Sequence, residues 1–188
     1  MKTLIFVTGN RHKFEHIAEV LAGYGIALKQ HGIELEETDS SSQKKIALHK
    51  AKQAFALLRQ PLIVEDTGIW FRAFKNFPGT KPKRAFEQLG FEGLFKKLQG
   101  KKRSAFFLTT VCFIESEKNF HFFEGKLEGE ITKKVIAPEA DAMPYAKIFI
   151  PKGHEKTLSE MTLHEKNASS HRGIAARKLA EWIRSKAE

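Results

Sequence analysis

The sequence predicts an α/β fold: a mixed, long central sheet flanked by helices. Leu4-Ile5-Phe6-Val7 runs through Thr8-Gly9-Asn10 into an amphipathic helix, the strand–turn–helix unit of α/β proteins. Ser104 to Ile114 passes through Glu115-Ser116-Glu117-Lys118 into Asn119 to Glu124, an antiparallel hairpin of unusual length. Between them, Leu62-Ile63-Val64 follows Pro61 as a buried, β-branched strand and runs into Glu65-Asp66-Thr67-Gly68. These signals fit neither an all-parallel sheet nor a barrel. No repeat, linker or low-complexity stretch divides the chain, so residues 1–188 are expected to form a single domain.

Each element has a local reason. Asn10 is a good N-cap, and Phe14, Ile17, Ala18 and Leu21 then recur at helical spacing up to Gly23 or Gly25. Ile26 to Ser42 holds a second strand and an acidic loop with Glu34, Glu36, Glu37 and Asp39. A helix is expected from Gln43 to Leu58, with Ala47, Ala51, Ala54, Phe55 and Leu58 on its buried stripe and Lys50 at the edge. After the central strand, Ile69-Trp70-Phe71 reads as extended and Asn76-Phe77-Pro78-Gly79 as a turn. One helix runs through Phe86 and Leu89, and another from Phe91 to Leu98 before Gly100. Beyond the hairpin, Gly125, Gly129 and Ile131 enter a further strand, and Tyr145 to Ile150 reads as a strand stopped by Pro151. Thr157 and Glu160 stand at capping-box spacing, and a serine before His171 opens a terminal helix with Ala175, Ala176, Leu179, Trp182 and Ile183 inward.

Composition narrows the function. Hydrophobic residues make up 41% of the chain, and sixteen Phe supply the bulk of a core. The lone Cys112 forms no internal disulfide. Met1-Lys2-Thr3 is followed by a four-residue apolar run, too short for a signal-peptide core or a membrane span, so a soluble, cytoplasmic protein with no membrane partner is expected. The net charge of +10 suits nucleic acid, a small polyanion or a merely solvated surface, and its spread along the chain leaves position to decide.

Position points to a small polyanion. Carboxylates at the end of a buried strand are costly unless a cation or donor meets them. Arg11, His12 and Lys13 occupy the first turn of one helix, and His171 and Arg172 the first turn of another. Cations there oppose the helix dipole, and the arrangement makes sense if an anion sits on the free N–H groups between them.

Thr8-Gly9-Asn10-x-x-Lys13, Val64-Glu65-Asp66-Thr67, Phe77-Pro78-Gly79, Lys156-Thr157-x-x-Glu160-Met161 and Glu165-Lys166-Asn167-x-x-Ser170-His171-Arg172 together resemble, in this order, the inosine triphosphate pyrophosphatases. The resemblance covers nearly the whole chain. It implies two lobes with the substrate in a cleft between them. It also implies Mg²⁺-dependent hydrolysis of deaminated purine nucleoside triphosphates to monophosphate and pyrophosphate, by a homodimer. On this basis Thr8, Gly9, Asn10, Arg11, His12 and Lys13 match the triphosphate-binding turn, and Thr67 a neighbouring contact. Asp66 matches the general base or metal ligand, Lys50 and Lys83 the lysines facing the phosphates, and Glu37, or Glu36 by a slip of one residue, a second metal acid. The catalytic set is then Asp66, Lys13 and Lys50, and the base wall is Met143, Tyr145, Lys166, Ser170, His171 and Arg172.

One stretch departs from the family. Where it usually has Phe-Gly-Tyr/Trp-Asp-Pro, this chain reads Met143-Pro144-Tyr145-Ala146-Lys147. Met143 takes the stacking position and Ala146 replaces an acid, so base discrimination is expected to be altered or relaxed. Two alternatives stand beside this reading: a nucleotide- or nucleic-acid-binding protein on the same fold with little catalysis, nucleic acid being the less expected partner, and a pyrophosphatase for a pyrimidine nucleotide.

Overall fold

The computed structural model describes residues 3–186; Met1 and Lys2, read above with the start of the chain, and Ala187 and Glu188 lie outside the described residues. Strands β1 (Thr3–Val7), β2 (Ala27–His31), β3 (Leu62–Phe71), β4 (Pro78–Gly79), β5 (Ser104–Ile114), β6 (Phe120–Ile131) and β7 (Phe149–Pro151) form one seven-stranded sheet. Its order is β2-β1-β3-β5-β6-β7, with β4 on the end of β3. β1 pairs in parallel with β2 and β3, and the remaining pairs are antiparallel. The sheet is mixed, as expected.

Helix α1 (Arg11–Ala22) and helix α5 (His171–Ser185) pack on one face, where Phe6, Ile17, Leu21, Ile63, Val111, Phe113, Phe123 and Leu179 form a core. Helix α2 (Gln43–Leu58) covers the other face over Val7, Leu62, Val64, Cys112 and Ile114. The far ends of β3, β5 and β6 enter a third core, with Ile69, Phe71, Phe107, Leu127 and Phe149 packed against Leu94 and Leu98. Helix α3 (Pro82–Lys97) supplies Leu94 and is broken at Gly90 (φ 57°), giving the two helices the sequence suggests.

The long strands therefore pass through two cores separated by a polar waist. Along the face of β3 that carries odd-numbered side chains, Ile63 lies in the first core and Ile69 and Phe71 in the other, with Glu65 and Thr67 between. Thr67 pairs with Thr109 on β5, which pairs with Gly125 on β6. A Cβ on Gly125 would stand 1.9 Å from the carbonyl oxygen of His171, so only glycine lets the start of α5 lie on the sheet there. A second feature opens the cleft. β1 pairs with β3 only at Leu62 and Ile63, and β4 rejoins that strand at Ile69 and Trp70. The intervening edge, residues 64–68, pairs with no strand on that side, at the carboxyl end of β1, where ligands bind in open α/β sheets.

Several local expectations change. Tyr145 to Ile150 is not a strand: Pro144–Ile148 form a 3₁₀ turn and only Phe149–Pro151 join the sheet. Pro144 fixes φ for a helical turn, and Ala146 N–H bonds the Met143 carbonyl. β6 runs unbroken through Gly125 and Gly129 rather than splitting there. Thr157 does bond the Glu160 carboxylate, yet no helix follows. The capping box is Thr162 with Glu165, opening the short helix α4 (Leu163–Ser169).

Candidate active site

The floor of the cleft is the turn after β1. Thr8 Oγ1 accepts from Asn10 N–H (3.1 Å), and Asn10 Oδ1 accepts from Lys13 N–H (3.0 Å), so the turn and the first turn of α1 hold each other. A Cβ on Gly9 would meet nothing within 4 Å; the glycine leaves the floor open.

β3 delivers its two carboxylates to opposite sides of this floor, because neighbouring residues on a strand face apart. Glu65 is fully enclosed. Lys13 Nζ lies 2.5 Å from one of its oxygens and Arg172 Nε 3.0 Å from the other, which also accepts from the Thr67 hydroxyl. Burial alone would raise the Glu65 carboxyl, but Lys13 and Arg172, helped by Thr67, hold it well below the usual carboxylate range. On the other side Lys50 donates to Asp66 Oδ1 (2.9 Å) and stands 3.9 Å from Glu37 Oε1. Burial, aided by the Glu65 charge, keeps the Asp66 carboxyl above its ordinary value against Lys13 and Lys50. Burial also opposes the Lys50 charge, yet Asp66 and Glu37 raise its pKa.

The wall is the start of α5. Ser170 caps the helix, its Oγ accepting from Gly173 N–H (3.1 Å). The His171 ring lies flat on Phe107, 4.5 Å between centroids at 8°, and neither ring nitrogen has a hydrogen-bond partner among the described residues. Burial and the neighbouring Arg172 hold the pKa of this imidazole well below its ordinary value. Lys166 is half-buried beside it, and burial lowers its pKa. Beyond lie His16 and Asn167, with His16 Nδ1 3.0 Å from Asn167 Oδ1; burial, with Arg172, takes the His16 pKa down to about 4.

The roof comes from residues 141–146. Met143 is half-buried on it, as is Ala146. Tyr145 lines the cavity but turns its hydroxyl to the Pro82 carbonyl (3.0 Å) and packs edge-on to Phe71 and Phe86. At the mouth, Asp141 reaches across to Arg11 and to His12 Nε2 (3.1 Å).

These parts enclose a cavity of about 1110 Å³. Thr8, Gly9, Asn10, His12, Lys13, Glu37, Lys50, Asp66, Thr67, Met143, Tyr145, Lys166, Ser170, His171 and Arg172 all line it. One expected residue sits differently. Arg11 points outward, to Glu15 (2.9 Å) and Asp141, and is no part of the lining. Lys83 also lines the cavity, at its rim, with its side chain 87% exposed and near Glu87. Of Glu36 and Glu37, the first has its backbone tied to the Gln53 amide, and the second turns its carboxylate toward Lys50.

Among the lining residues not assigned from sequence are three ionisable ones close to the centre of the site, Glu65, His16 and Asp141. His16 lies one helical turn beyond Lys13, a spacing that signals a shared face. Glu65 was visible as a carboxylate on a buried strand, but its partners come from α1 and α5. Nothing local marks Asp141.

No three His, Cys, Asp or Glu residues cluster as a metal cage among the described residues. Magnesium does not need one. It is held by one or two carboxylates, with phosphate and water completing the shell. Asp66 and Glu37 meet this requirement, since both face the one cation between them, the Lys50 ammonium.

Sheet, helix ends and paired charges define an α/β protein with a cation-lined cleft large enough for a nucleotide-sized anion. The chain belongs to the Ham1 family, whose match spans residues 4–182. It is 36% identical over 185 residues to a dITP/XTP pyrophosphatase of Hyperthermus butylicus, covering 97% of this chain and 95% of that one. It is likewise 36% identical over 189 residues to the inosine triphosphate pyrophosphatase of Yarrowia lipolytica, covering 99% and 98%. The solved HAM1 protein of Coxiella burnetii superposes with a TM-score of 0.82 over 98% of this chain and all of that one; at 23% identity it supports the fold. No helix among the described residues is long and apolar enough to cross a membrane.

Proposed function

We propose that the chain hydrolyses inosine, deoxyinosine and xanthosine triphosphates to the monophosphate and pyrophosphate, with Mg²⁺. One observation carries the reading: Lys13, Lys50 and Arg172 converge with Asp66 and the open turn at Thr8-Gly9-Asn10 in a single cavity. Family membership and the names of the relatives support the same chemistry.

The roles follow from placement. The triphosphate lies on the floor, against the free N–H groups at the start of α1 and the Lys13 ammonium. Lys13 and Arg172 already hold an anion, Glu65, so they are oriented before substrate arrives. Thr67 adds a hydroxyl at the same point. Asp66 orients the attacking water and takes its proton, with Lys50 holding one carboxylate oxygen. Asp66 and Glu37 are the residues that would hold magnesium, which would supply positive charge against the phosphate oxygens. The base lies between Met143 and the wall of Lys166, Ser170, His171 and Arg172, where the unpartnered His171 ring can take a hydrogen bond from it or give one. Ala146 offers the base no side-chain hydrogen bond, which supports relaxed discrimination. Lys83 on the rim is a contact only for a substrate that draws it inward.

A homodimer in the cytoplasm completes the reading, and light scattering in solution tests the dimer. The activity is tested by pyrophosphate release from inosine, xanthosine, adenosine and guanosine triphosphates with Mg²⁺, wild type beside Asp66→Asn. Release that depends on Asp66 supports the reading, and its spread over the four bases measures discrimination. Absence of release from all of them, with retained binding, would sink it in favour of a nucleotide binder.

A further inference from the structure

The inward stripe of α2 is Gln43, Ile46, Ala47, Ala51 and Ala54. Four are apolar, and the first is an amide only 4% exposed. A buried amide costs several kcal/mol unless its donor and acceptor are met, so an apolar residue is the default at this position. Breaking that default beside a functional site calls for a partner.

Two are present. Asp66 Oδ2 lies 2.6 Å from one end of the Gln43 amide, and the Gly68 N–H meets the other. A carboxylate can only accept and a backbone N–H can only donate, so the amide nitrogen faces Asp66 and the amide oxygen faces Gly68. Lys50, seven residues along the same helix and so two turns away, holds the other oxygen, Asp66 Oδ1, at 2.9 Å. Helix α2 thus grips both oxygens of one carboxylate. The Gly68 bond ties the same amide to the β3 backbone two residues past Asp66, so helix and strand cannot slide without breaking it.

We infer that Gln43 is a positioning residue for Asp66: its amide, working with Lys50, fixes the plane in which that carboxylate is presented to the cleft. The inference rests on the role proposed for Asp66. It assigns Gln43 no contact with substrate. A Lys–Asp pair alone leaves the carboxylate free to rotate about its Cβ–Cγ bond; a second donor on the second oxygen removes that freedom. Loss of a hydrogen-bond partner behind a catalytic carboxylate lowers activity about 10- to 100-fold in comparable sites.

The test is steady-state pyrophosphate release from deoxyinosine triphosphate at saturating Mg²⁺ for wild type, Gln43→Met, Gln43→Leu and Asp66→Asn, with a melting curve for each. Gln43→Met keeps length and helix propensity but removes the donor. Gln43→Leu, apolar like the rest of the stripe, also lacks the donor and guards against the methionine variant failing to fold. A fall in kcat of about 10- to 100-fold in the folded variants, with KM within about threefold of wild type, is expected, because orientation of a reacting group is felt in the transition state rather than in ground-state binding. Lower melting temperatures with unchanged kcat, or a raised KM at constant kcat, would overturn the inference and leave Gln43 a packing residue or a binding one. Full activity of Asp66→Asn would instead overturn the role of Asp66, and so separates the two failures.

Discussion

Replacing Glu65 by Gln tests the charge network at the centre of the cleft. The change keeps size and one acceptor oxygen, and removes one negative charge from a site with no exposure at all. Its two cations respond differently. The Lys13 side chain is 20% exposed and can turn toward water, whereas Arg172 is 5% exposed and lies over the sheet with nowhere to go. Removing one partner of a buried pair costs about 3–5 kcal/mol when the other charge is left unpaired. With Lys13 free to relax and the Gln amide still able to accept from Arg172, the lower end applies, about 3 kcal/mol. For a chain of this length that is a fall in Tm of about 6–12 °C.

Scanning calorimetry at pH 7 measures the fall, and inorganic triphosphate added to both proteins identifies its cause. In the wild type an incoming polyanion must compete with Glu65 for Lys13 and Arg172; in Glu65→Gln that competitor is gone. The ligand should therefore raise Tm more in the variant and close part of the gap. A Tm difference below about 2 °C would refute the network as a source of stability. A large drop that triphosphate fails to recover would refute the placement of phosphates beside these two cations.

Other perturbations read other parts. Gly125→Ala forces a Cβ to within 1.9 Å of the His171 carbonyl oxygen and 2.8 Å of Ala175 N, so α5 must lift; overpacking of this kind costs about 1–3 kcal/mol, and kcat/KM should fall with Tm as the wall moves. Burial, with the charge of Arg172, lowers the His16 pKa from 6.5 to about 4, so its contribution to stability is full above pH 6.5 and is lost as pH falls toward 4, about 3 kcal/mol in all. His16→Gln should flatten the Tm-against-pH curve in that window, and a curve parallel to wild type would remove His16 as its source. A chelator should abolish pyrophosphate release, with Mg²⁺ restoring it, and Glu37→Gln should raise the Mg²⁺ concentration at half activity about 10-fold or more. Unchanged metal dependence in that variant would take Glu37 out of the site.

The sequence carries the local half of this structure. The cap at Asn10, the helix from Gln43 to Leu58 and the long hairpin are legible because each is set by residues near one another in the chain. Where the sequence misleads, a local feature competes with the apolar pattern: Pro144 turns a strand-like run into a 3₁₀ turn, and glycines that look like strand ends sit inside β6. The cleft lies beyond such reading for a geometric reason. Glu65 and Asp66 point away from each other, and they share one cavity only because β1 leaves the edge of β3 at Ile63 and β4 returns at Ile69. Neither event is written near the carboxylates. Nor is the approach of α5, which depends on Gly125 on β6, 60 residues along the chain from the Glu65 it helps to enclose. Gln43 follows the same logic: on its own helix it is a misplaced polar residue, and only the pairing of α2 with β3 turns it into the second grip on Asp66. Residues that act by holding another side chain are therefore those a single sequence hides best, and buried polar groups that break an apolar stripe are where to look for them.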